Sequence, residues 1–305
     1  MKYLSLNEYL KTKFGCKVYK IAIDGGFTCP NRDGTLGING CIFCSGFGSG
    51  DFASDRNLSI TEQIERAKEK VSSKITNGKY IAYFQAFTNT YAPVNELRNK
   101  FSEAINHPDV VAVSIGTRPD CLPEDVLELL SELNRIKPIW IELGLQTIHE
   151  KTADFIRRGY DLSIYDKAVY ELKHRGLYVV THVILGLPGE SEKDVLKTVE
   201  YVCKNTTYRH GDNIFSCQID GIKLQLLHII KGTDLELFYN DKSHNFECMD
   251  MDTYVDLIRK CVNIIPSNIA IHRLTGDGDK KTLVAPLWSG DKKRVLNAIN
   301  KALSN

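Results

Sequence analysis

The chain lacks a long apolar run, and none of its segments approaches the roughly 18 consecutive apolar residues that a membrane-spanning helix needs. Its opening segment, MKYLSLNEYLKTKFG, has no uninterrupted apolar stretch followed by a small-residue cleavage site, so it does not resemble a signal peptide. Low-complexity segments and internal repeats beyond alternating strands and helices are also missing. From these absences we expect a soluble, cytoplasmic protein with no membrane partner.

A strong charge of either sign is missing as well. Lys and Arg number 39 against 38 Asp and Glu, a formal net charge of +1. Proteins that coat nucleic acid nonspecifically are normally strongly basic, so this balance argues against that class, and we expect no DNA partner. The charge is uneven, however, because residues 251–305 hold nine Lys or Arg against five Asp. A polyanionic partner is therefore permitted but not required.

The nine cysteines are odd in number and mostly isolated. A disulfide framework is not expected, because such frameworks are typical of oxidising compartments. Outside one cluster no two cysteines have CxxC spacing, and we interpret these as buried, small apolar side chains. They are Cys16, Cys121, Cys203, Cys217, Cys248 and Cys261.

Short apolar, β-branched segments alternate with longer amphipathic segments over the first 230 residues, which predicts six βα units. Near-continuous apolar strands between helices are typical of a parallel sheet covered on both faces. The alternatives are a doubly wound sheet and an incomplete β/α barrel. No G-x-G-x-x-G turn follows the first predicted strand, VYKIAIDGG, which disfavours a nucleotide-binding doubly wound fold. The other strands are expected at KYIAYFQAF, VVAVSIGTRPD, PIWIELGLQT, YVVTHVILGLPGE and GIKLQLLHII.

We therefore predict an α/β protein in which residues 1–235 form an incomplete, TIM-like (β/α)6 barrel. Residues 236–305 would form a C-terminal α/β extension packed on the barrel, including a strand-like NIAIHRL. Barrels of this kind carry their active sites at the carboxyl ends of the strands. Glu142 lies inside the fourth predicted strand and is expected to point into the barrel, where a buried carboxylate needs a cation or a ligand. His182, on the fifth, is either a hydrogen-bonded core histidine or a catalytic one.

Three cysteines cluster in CPNRDGTLGINGCIFC, residues 29 to 44, just beyond the first predicted strand. A structural zinc site normally has four protein ligands, and no second CxxC or histidine pair in the sequence supplies the fourth. Three thiolates on a glycine-rich loop suit a [4Fe–4S] cluster with one iron left open. From the residues alone the cluster and a zinc site have about equal support, and structural thiols come third.

The spacing Cys29-x11-Cys41-x2-Cys44, with Phe43 before the last cysteine, resembles the cluster loop of the radical S-adenosylmethionine (SAM) superfamily. Its first gap is longer than the usual x3, and in this the loop is similar to the subgroup that includes the catalytic subunit of Elongator, which modifies wobble uridines of tRNA. Further motifs in matching order extend the resemblance over most of the chain: YFQAFTNTYAP, SIGTRPDCLP, WIELGLQTIHEKTADFIRRGYD and HVILGLPGES.

The resemblance implies roles for individual residues. The three clustered cysteines would ligate three irons of a [4Fe–4S] cluster, and the fourth iron would chelate SAM. Phe43 would lie against the adenine, and Arg158 would pair with the SAM carboxylate, since a forked guanidinium matches a carboxylate. The SAM-contacting residues implied in this way are Phe43, Gln85, Gln146, Arg158, Leu185 and Gly186.

The activity implied by the resemblance is reductive cleavage of SAM to a 5′-deoxyadenosyl radical, an oxidoreductase or lyase-like reaction. The expected substrate is tRNA, at the 5-substituent of the wobble uridine, with conversion of carboxymethylaminomethyl-uridine to aminomethyl-uridine. An electron donor such as flavodoxin or ferredoxin would be a second partner. Candidate phosphate contacts are Arg273, Lys280, Lys281, Lys292, Lys293 and Arg294.

Two alternatives stay open. One is a radical SAM enzyme that acts on a small metabolite, which would bind RNA weakly and without regard to its modification. The other is a zinc-stabilised nucleic-acid-binding module, which would be colourless when purified and would not cleave SAM.

Overall fold

The computed structural model describes residues 3–46, 48, 53–75, 78–210, 213–276, 278 and 280–304. The strands in chain order are β1 (Val18–Ile23), β2 (Lys79–Phe84), β3 (Val110–Thr117), β4 (Ile139–Gln146), β5 (Tyr178–Leu185), β6 (Thr207–His210), β7 (Asn213–Ser216), β8 (Gly221–Leu226), β9 (Ile229–Ile230), β10 (Ala270–Arg273) and β11 (Leu283–Ala285). The helices are α1 (Leu6–Phe14), α2 (Ile60–Val71), α3 (Val94–Asn106), α4 (Glu124–Asn134), α5 (Glu150–Phe155), α6 (Leu162–His174), α7 (Glu192–Cys203), α8 (Asp234–Asn240), α9 (Met251–Ile264) and α10 (Lys292–Ser304).

Within the described residues, seven strands form one parallel sheet in the order β1-β2-β3-β4-β5-β8-β10. The sheet curls, so that inward side chains from β2 through β10 line one cavity. Helices cover its outer face, and the main hydrophobic core lies between them and the strands. The predicted incomplete β/α barrel is confirmed. No helix in the described ranges has the length and apolar character needed to cross a bilayer.

The seventh strand comes from the C-terminal segment. The predicted sixth strand, GIKLQLLHII, divides: its first part is β8, whereas β9 pairs antiparallel with β11 outside the barrel sheet. Strand β10, which includes most of the strand-like NIAIHRL, joins the barrel edge beside β8. The C-terminal segment therefore contributes a wall of the barrel. The division into domains at residue 235 stays a prediction.

Helix α1 closes the amino-end of the barrel and was not predicted. Ser5 and Glu8 form a reciprocal capping box at its start, the S-x-x-E signature that could have identified it. The Leu10 side chain packs into a small apolar cluster with Ile81 of β2 and Trp140 of β4. Helix α8 and the β6–β7 hairpin were also missed, because these short elements carry little periodic signal.

The barrel interior changes in polarity from bottom to mouth, as the inward residues of β4 illustrate. Side chains alternate along a strand, so every second residue faces inward. Trp140 lies in the apolar layer beside α1. Glu142 lies in a polar layer above it, and Gly144 and Gln146 line the cavity at the carboxyl end. The polar inward side chains of β4 therefore lie in the half of the barrel nearer the carboxyl ends of the strands.

Replacing Leu10 by alanine should weaken the whole fold, because this side chain is only 4 % exposed and seals the barrel floor. We expect a loss of about 2–4 kcal/mol in the free energy of unfolding, measured by urea denaturation followed by circular dichroism. Lys11→Ala, at an exposed position of the same helix, is the matched control and should change little. Equal stability of the two variants would show that α1 does not support the barrel.

Candidate active site

A cavity of about 210 Å³ lies at the carboxyl ends of the barrel strands. The cysteine loop, residues 29–44, forms one of its walls, and strands β2, β3, β4, β5, β8 and β10 supply the others. The structure therefore gathers residues that are far apart in sequence. Among the predicted site residues, those lining the cavity are Cys29, Cys41, Phe43, Cys44, Gln85, Gln146 and Arg158.

The cysteine loop is held by hydrogen bonds instead of regular secondary structure. The Asn31 carbonyl accepts from the Gly40 amide at 2.7 Å, which closes the long gap between the first two cysteines. The Arg32 guanidinium donates to the carbonyls of Cys44, at 2.9 Å, and Ser45, at 2.7 Å. At its far end, the loop is tied to both α5 and α8 through backbone bonds of Ile42. These bonds keep the three thiols on the cavity wall.

The surroundings of Cys41 disfavour a free thiolate. Burial, followed by the neighbouring charge of Cys44, raises the pKa of the Cys41 thiol to about 12, so a bound metal is needed to deprotonate it at neutral pH. The Asn31 side-chain amide lies 3.5 Å from the Cys41 sulfur and donates to it. All three cysteines are free of disulfides.

The donor set at the cavity wall is three cysteine thiols on one loop. In a [4Fe–4S] cluster each cysteine binds a different iron, and three cysteines leave one iron open. The residues present fit such a cluster.

Gln146 carries two features of a ligand contact. Its backbone is left-handed, with φ of 71°, a conformation that costs a non-glycine residue about 1–3 kcal/mol and is concentrated at functional sites. Its buried side-chain oxygen Oε1 meets no hydrogen-bond donor among the described residues. A buried acceptor of this kind needs a donor, and an amino group of SAM would supply one. Gln146 fits the predicted contact, which stays a prediction.

Arg158 lies at the cavity wall but is engaged by the protein. Its Nε donates to the Tyr160 carbonyl at 2.9 Å and Nη1 to the Thr147 carbonyl at 2.7 Å. Its Nη2 donates to both carboxylate oxygens of Glu150, at 3.1 and 3.0 Å. With all three nitrogens donating in this way, the guanidinium has a structural role, tying the segment after α5 to the loop after β4. This geometry does not support its predicted pairing with the SAM carboxylate.

Arg118 lies near the thiols of Cys29 and Cys41, and no role was predicted for it. It follows β3, lines the cavity and donates to Asp120 through Nε, at 2.9 Å, and Nη2, at 2.7 Å. Burial lowers its pKa, but the bonds and charge of Asp120 outweigh burial, and the thiolates of Cys29 and Cys41 add to the rise. The Arg-x-Asp spacing in SIGTRPD was the available signal for this ion pair.

The other predicted contacts differ in where they lie. The Leu185 side chain is fully buried in the main core, and Ile184 lines the cavity in its place. Gly186 has φ of 90°, and a Cβ there would lie 2.7 Å from the Met249 methyl carbon, so only glycine fits this turn. Gln85 and Phe43 line the cavity directly. No observation assigns any of these residues to SAM, and their roles stay predictions.

The scattered cysteines lie away from the cavity. Cys121, Cys203, Cys217 and Cys261 are buried, as interpreted from the sequence, whereas Cys16 and Cys248 are half-buried.

Glu142 is the centre of the polar layer beneath the cavity. Its side chain is fully buried and accepts hydrogen bonds from Ser114 Oγ and His182 Nε2, each at 2.7 Å. It also accepts from the Lys20 and Lys223 ammonium groups. The expectation that Glu142 points inward and pairs with a cation is confirmed. Burial, followed by the charge of Lys223, lowers the pKa of His182 to about 4, so its imidazole is neutral at pH 7 and donates through Nε2.

The fold and this site define a radical SAM enzyme. Residues 29–202 match the Radical SAM superfamily, and residues 219–305 match the Radical_SAM C-terminal domain. The chain belongs to the radical SAM superfamily, and its cofactors are a [4Fe–4S] cluster and SAM. The three clustered cysteines line the cavity, and their role as the cluster ligands stays a prediction.

Individual proteins similar to this chain include Elongator-type members. The protein YtqA of Bacillus subtilis (strain 168) is 45% identical over 304 residues, which cover 100% of this chain and 90% of YtqA. The structure of Elp3 from the archaeon Methanocaldococcus infernus, lacking its N-terminus, superposes with a TM-score of 0.66 at 18% identity and covers 93% of this chain and 63% of that one. The tRNA uridine(34) acetyltransferase of Methanocaldococcus jannaschii is 26% identical over 182 residues, 60% of this chain and 31% of that protein. The predicted resemblance to Elongator-type proteins is confirmed.

Combined replacement of Cys29, Cys41 and Cys44 by alanine should abolish cluster binding. The protein prepared without oxygen should be brown and contain about four irons per chain, and the triple variant should contain close to none. Iron and sulfide analysis with visible absorption measures both, and Cys16→Ala, remote from the cavity, is the control. A triple variant that keeps its iron, or a colourless parent protein with one zinc, would contradict the assignment.

Proposed function

We propose that this protein acts on tRNA at the 5-substituent of the wobble uridine and converts carboxymethylaminomethyl-uridine to aminomethyl-uridine. SAM would be the two-electron oxidant of the N–CH2 carbon, water would add to the resulting imine, and the two-carbon group would leave as glyoxylate. The observation that carries the proposal is the similarity to a tRNA uridine(34) acetyltransferase, a name that states both the RNA and the nucleotide. The Elp3 structure supports the shared fold. The proposed reaction belongs to the radical SAM domain, which residues 29–202 match.

When bound, the reduced cluster and SAM supply an oxidant that takes hydrogen from an unactivated carbon. The chain's own residues would bind the substrate, orient it and shield it from solvent. The cysteine loop forms one wall of a narrow cavity, and the barrel strands form the others. A substrate held between them would be positioned for reaction and kept from other hydrogen donors. The proposed electron donor is a flavodoxin- or ferredoxin-type protein, and the proposed location is the cytoplasm.

A route for RNA to the cavity is indicated by an exposed basic cluster, Lys292, Lys293 and Arg294, at the start of α10. The Trp288 indole, just before this helix, donates to the Met249 carbonyl at 2.9 Å. Met249 in turn contacts Gly186, at the carboxyl end of β5. The basic cluster, defined by these three cations, therefore lies toward the side of the barrel that carries the cavity. Phosphates bound there would leave the anticodon loop facing the mouth.

Three other basic residues have different surroundings. Lys280 and Lys281 are exposed, as a phosphate contact requires. Arg273 lines the cavity, so the structure places it inside the barrel and not on a surface that meets the RNA backbone. Single-stranded loops are where proteins read RNA bases, and an unstacked wobble nucleotide is the part of tRNA that would enter such a cavity.

The substrate assignment is tested by nucleoside analysis of tRNA. In a strain that lacks the gene, carboxymethylaminomethyl-uridine should accumulate, and its aminomethyl or methylaminomethyl descendants should fall. Purified enzyme with SAM and a reductant should convert the accumulated nucleoside in the same tRNA and release 5′-deoxyadenosine in step. An unchanged wobble-uridine profile would favour the small-metabolite alternative, and formation of S-adenosylhomocysteine would indicate methyl transfer instead.

Charge reversal of the basic cluster (Lys292→Glu, Lys293→Glu and Arg294→Glu together) should weaken tRNA binding more than about tenfold. It should also reduce the slope of log affinity against log salt by about 2, because each lost phosphate contact releases one fewer counterion. SAM cleavage without RNA should stay unchanged. The matched control reverses Lys11, Lys13 and Lys17, which are exposed at the opposite end of the barrel. Equal losses in the two triple variants would point to nonspecific attraction.

A further inference from the structure

A buried ion pair between Arg118 and Asp120 lies beside the cysteine loop. Arg118 directly follows β3, and its side chain is only 10 % exposed. The guanidinium donates to both oxygens of the Asp120 carboxylate, through Nε at 2.9 Å and Nη2 at 2.7 Å. Two parallel hydrogen bonds of this kind leave a guanidinium little freedom to turn, so the pair has a fixed orientation.

The positive end of this pair faces the thiols. Arg118 lines the barrel cavity together with Cys29 and Cys41. Asp120 lines a different groove, of about 930 Å³, which is bordered by α4, α6 and Pro30 of the cysteine loop. The cation therefore points toward the cavity, and the carboxylate lies behind it.

The Tyr160 ring holds the guanidinium in place from another direction. Arg118 Cζ lies 5.3 Å from the centre of this ring, and Arg158 Cζ lies 4.8 Å from it. The ring is itself fixed, because the Tyr160 hydroxyl donates to the Gly144 carbonyl at 2.6 Å. Contact with an aromatic face stabilises a buried guanidinium. Arg118 is thus a fixed positive charge beside the loop.

A glycine allows this charge to come close to the thiols. A Cβ on Gly159 would lie 3.2 Å from Asn31 Oδ1 and 3.6 Å from Arg118 Nη2. The Asn31 amide in turn lies 3.5 Å from the Cys41 sulfur. Burial, followed by the charge of Cys44, raises the pKa of the Cys41 thiol, and the Arg118 charge acts in the opposite direction. The cation therefore interacts with the loop sulfurs electrostatically without bonding to them.

We propose that the Arg118–Asp120 pair sets the reduction potential of the [4Fe–4S] cluster that the cysteine loop binds. The reduced cluster carries one more negative charge than the oxidised cluster. A fixed cation near the thiolates stabilises the reduced form, whereas a carboxylate destabilises it. Arg118 raises the potential from the cavity side, and Asp120 opposes part of that rise from behind the guanidinium.

The pair keeps reduction of the cluster within reach of a one-electron donor. Electron transfer to the cluster becomes less favourable as its potential falls, and reductive cleavage of SAM begins with that transfer. A buried charge is effective here because water and salt screen an exposed one. The proposal rests on the three clustered cysteines as the cluster ligands and is independent of the tRNA substrate.

Redox titration of the cluster-loaded protein without SAM, followed by electron paramagnetic resonance of the reduced cluster, tests the proposal. Arg118→Gln removes the cation and should lower the equilibrium constant for reduction at least about tenfold, a shift of about 59 mV to more negative potential for a one-electron couple. Asp120→Asn removes the carboxylate and should raise the same constant at least about threefold. Shifts of the same sign in the two variants would overturn the proposal, since opposite charges must act in opposite directions.

A conservative variant separates charge from packing. Arg118→Lys keeps the positive charge but loses the paired hydrogen bonds, and its equilibrium constant for reduction should stay within about threefold of the parent value. A shift as large as that of Arg118→Gln would show that packing, and not charge, sets the potential. The matched control is Arg98→Gln, which removes the cation of an exposed ion pair with Glu132 and should leave the potential unchanged.

Loading of the cluster is measured separately from its potential. Iron and sulfide analysis shows which variants contain the cluster. If Arg118→Gln does not bind it, the sign of the shift in Asp120→Asn decides: a more positive potential supports the proposal, and an unchanged or more negative one overturns it. Conversion of tRNA enters neither measurement, so a wrong substrate assignment would leave the result intact.

Discussion

Glu142 lies fully buried on β4 and accepts hydrogen bonds from Lys20 on β1, Ser114 on β3, His182 on β5 and Lys223 on β8. These contacts join strands on both sides of the open sheet across the barrel interior, so the curl of the sheet and the ionisation of the carboxylate depend on each other. A flat sheet would separate Glu142 from Lys20 and Lys223, which lie on strands not adjacent to β4, and would remove both ion pairs, at a cost of several kcal/mol. The same contacts hold Lys223 and His182 in fixed positions beneath the cavity, where the proposed chemistry needs a rigid floor.

The barrel interior is thus divided by polarity along its axis. Helix α1 and Trp140 form an apolar seal at the amino end, the Glu142 layer follows, and the cysteine loop stands at the mouth. The apolar seal keeps water away from the ionic layer around Glu142. The ionic layer in turn gives the cavity a fixed pattern of charge. A reaction that must exclude competing hydrogen donors benefits from such an enclosed arrangement. The loop is kept over the cavity by Asn31 and Arg32, which bond to its own backbone.

Much of the fold could be read from the chain. Apolar segments such as YVVTHVIL and the amphipathic segments between them indicated a parallel, helix-covered sheet, and the resemblance of the ordered motifs to the radical SAM superfamily implied its barrel. The inward direction of Glu142 followed from strand alternation alone. The short elements α1, α8 and β9 were not predicted, because they contain too few residues to show a periodic pattern. The pairing of β10 with β8 was not predicted either, because it joins segments far apart in the sequence and no local pattern encodes it.

At the site, the sequence by itself determined which residues can bind metal: the spacing of Cys29, Cys41 and Cys44 is local, and a thiolate ligand is recognisable from its residue type. Only the tertiary structure decided which polar side chains are free to meet a ligand. The Arg158 guanidinium donates hydrogen bonds to Glu150 and to two backbone carbonyls, whereas the buried side-chain oxygen of Gln146 meets no hydrogen-bond donor among the described residues. The balance of cations around Glu142 was likewise invisible in the sequence, because Lys20 and Lys223 are separated by most of the chain. Which polar groups can meet a ligand is settled by contacts between distant strands.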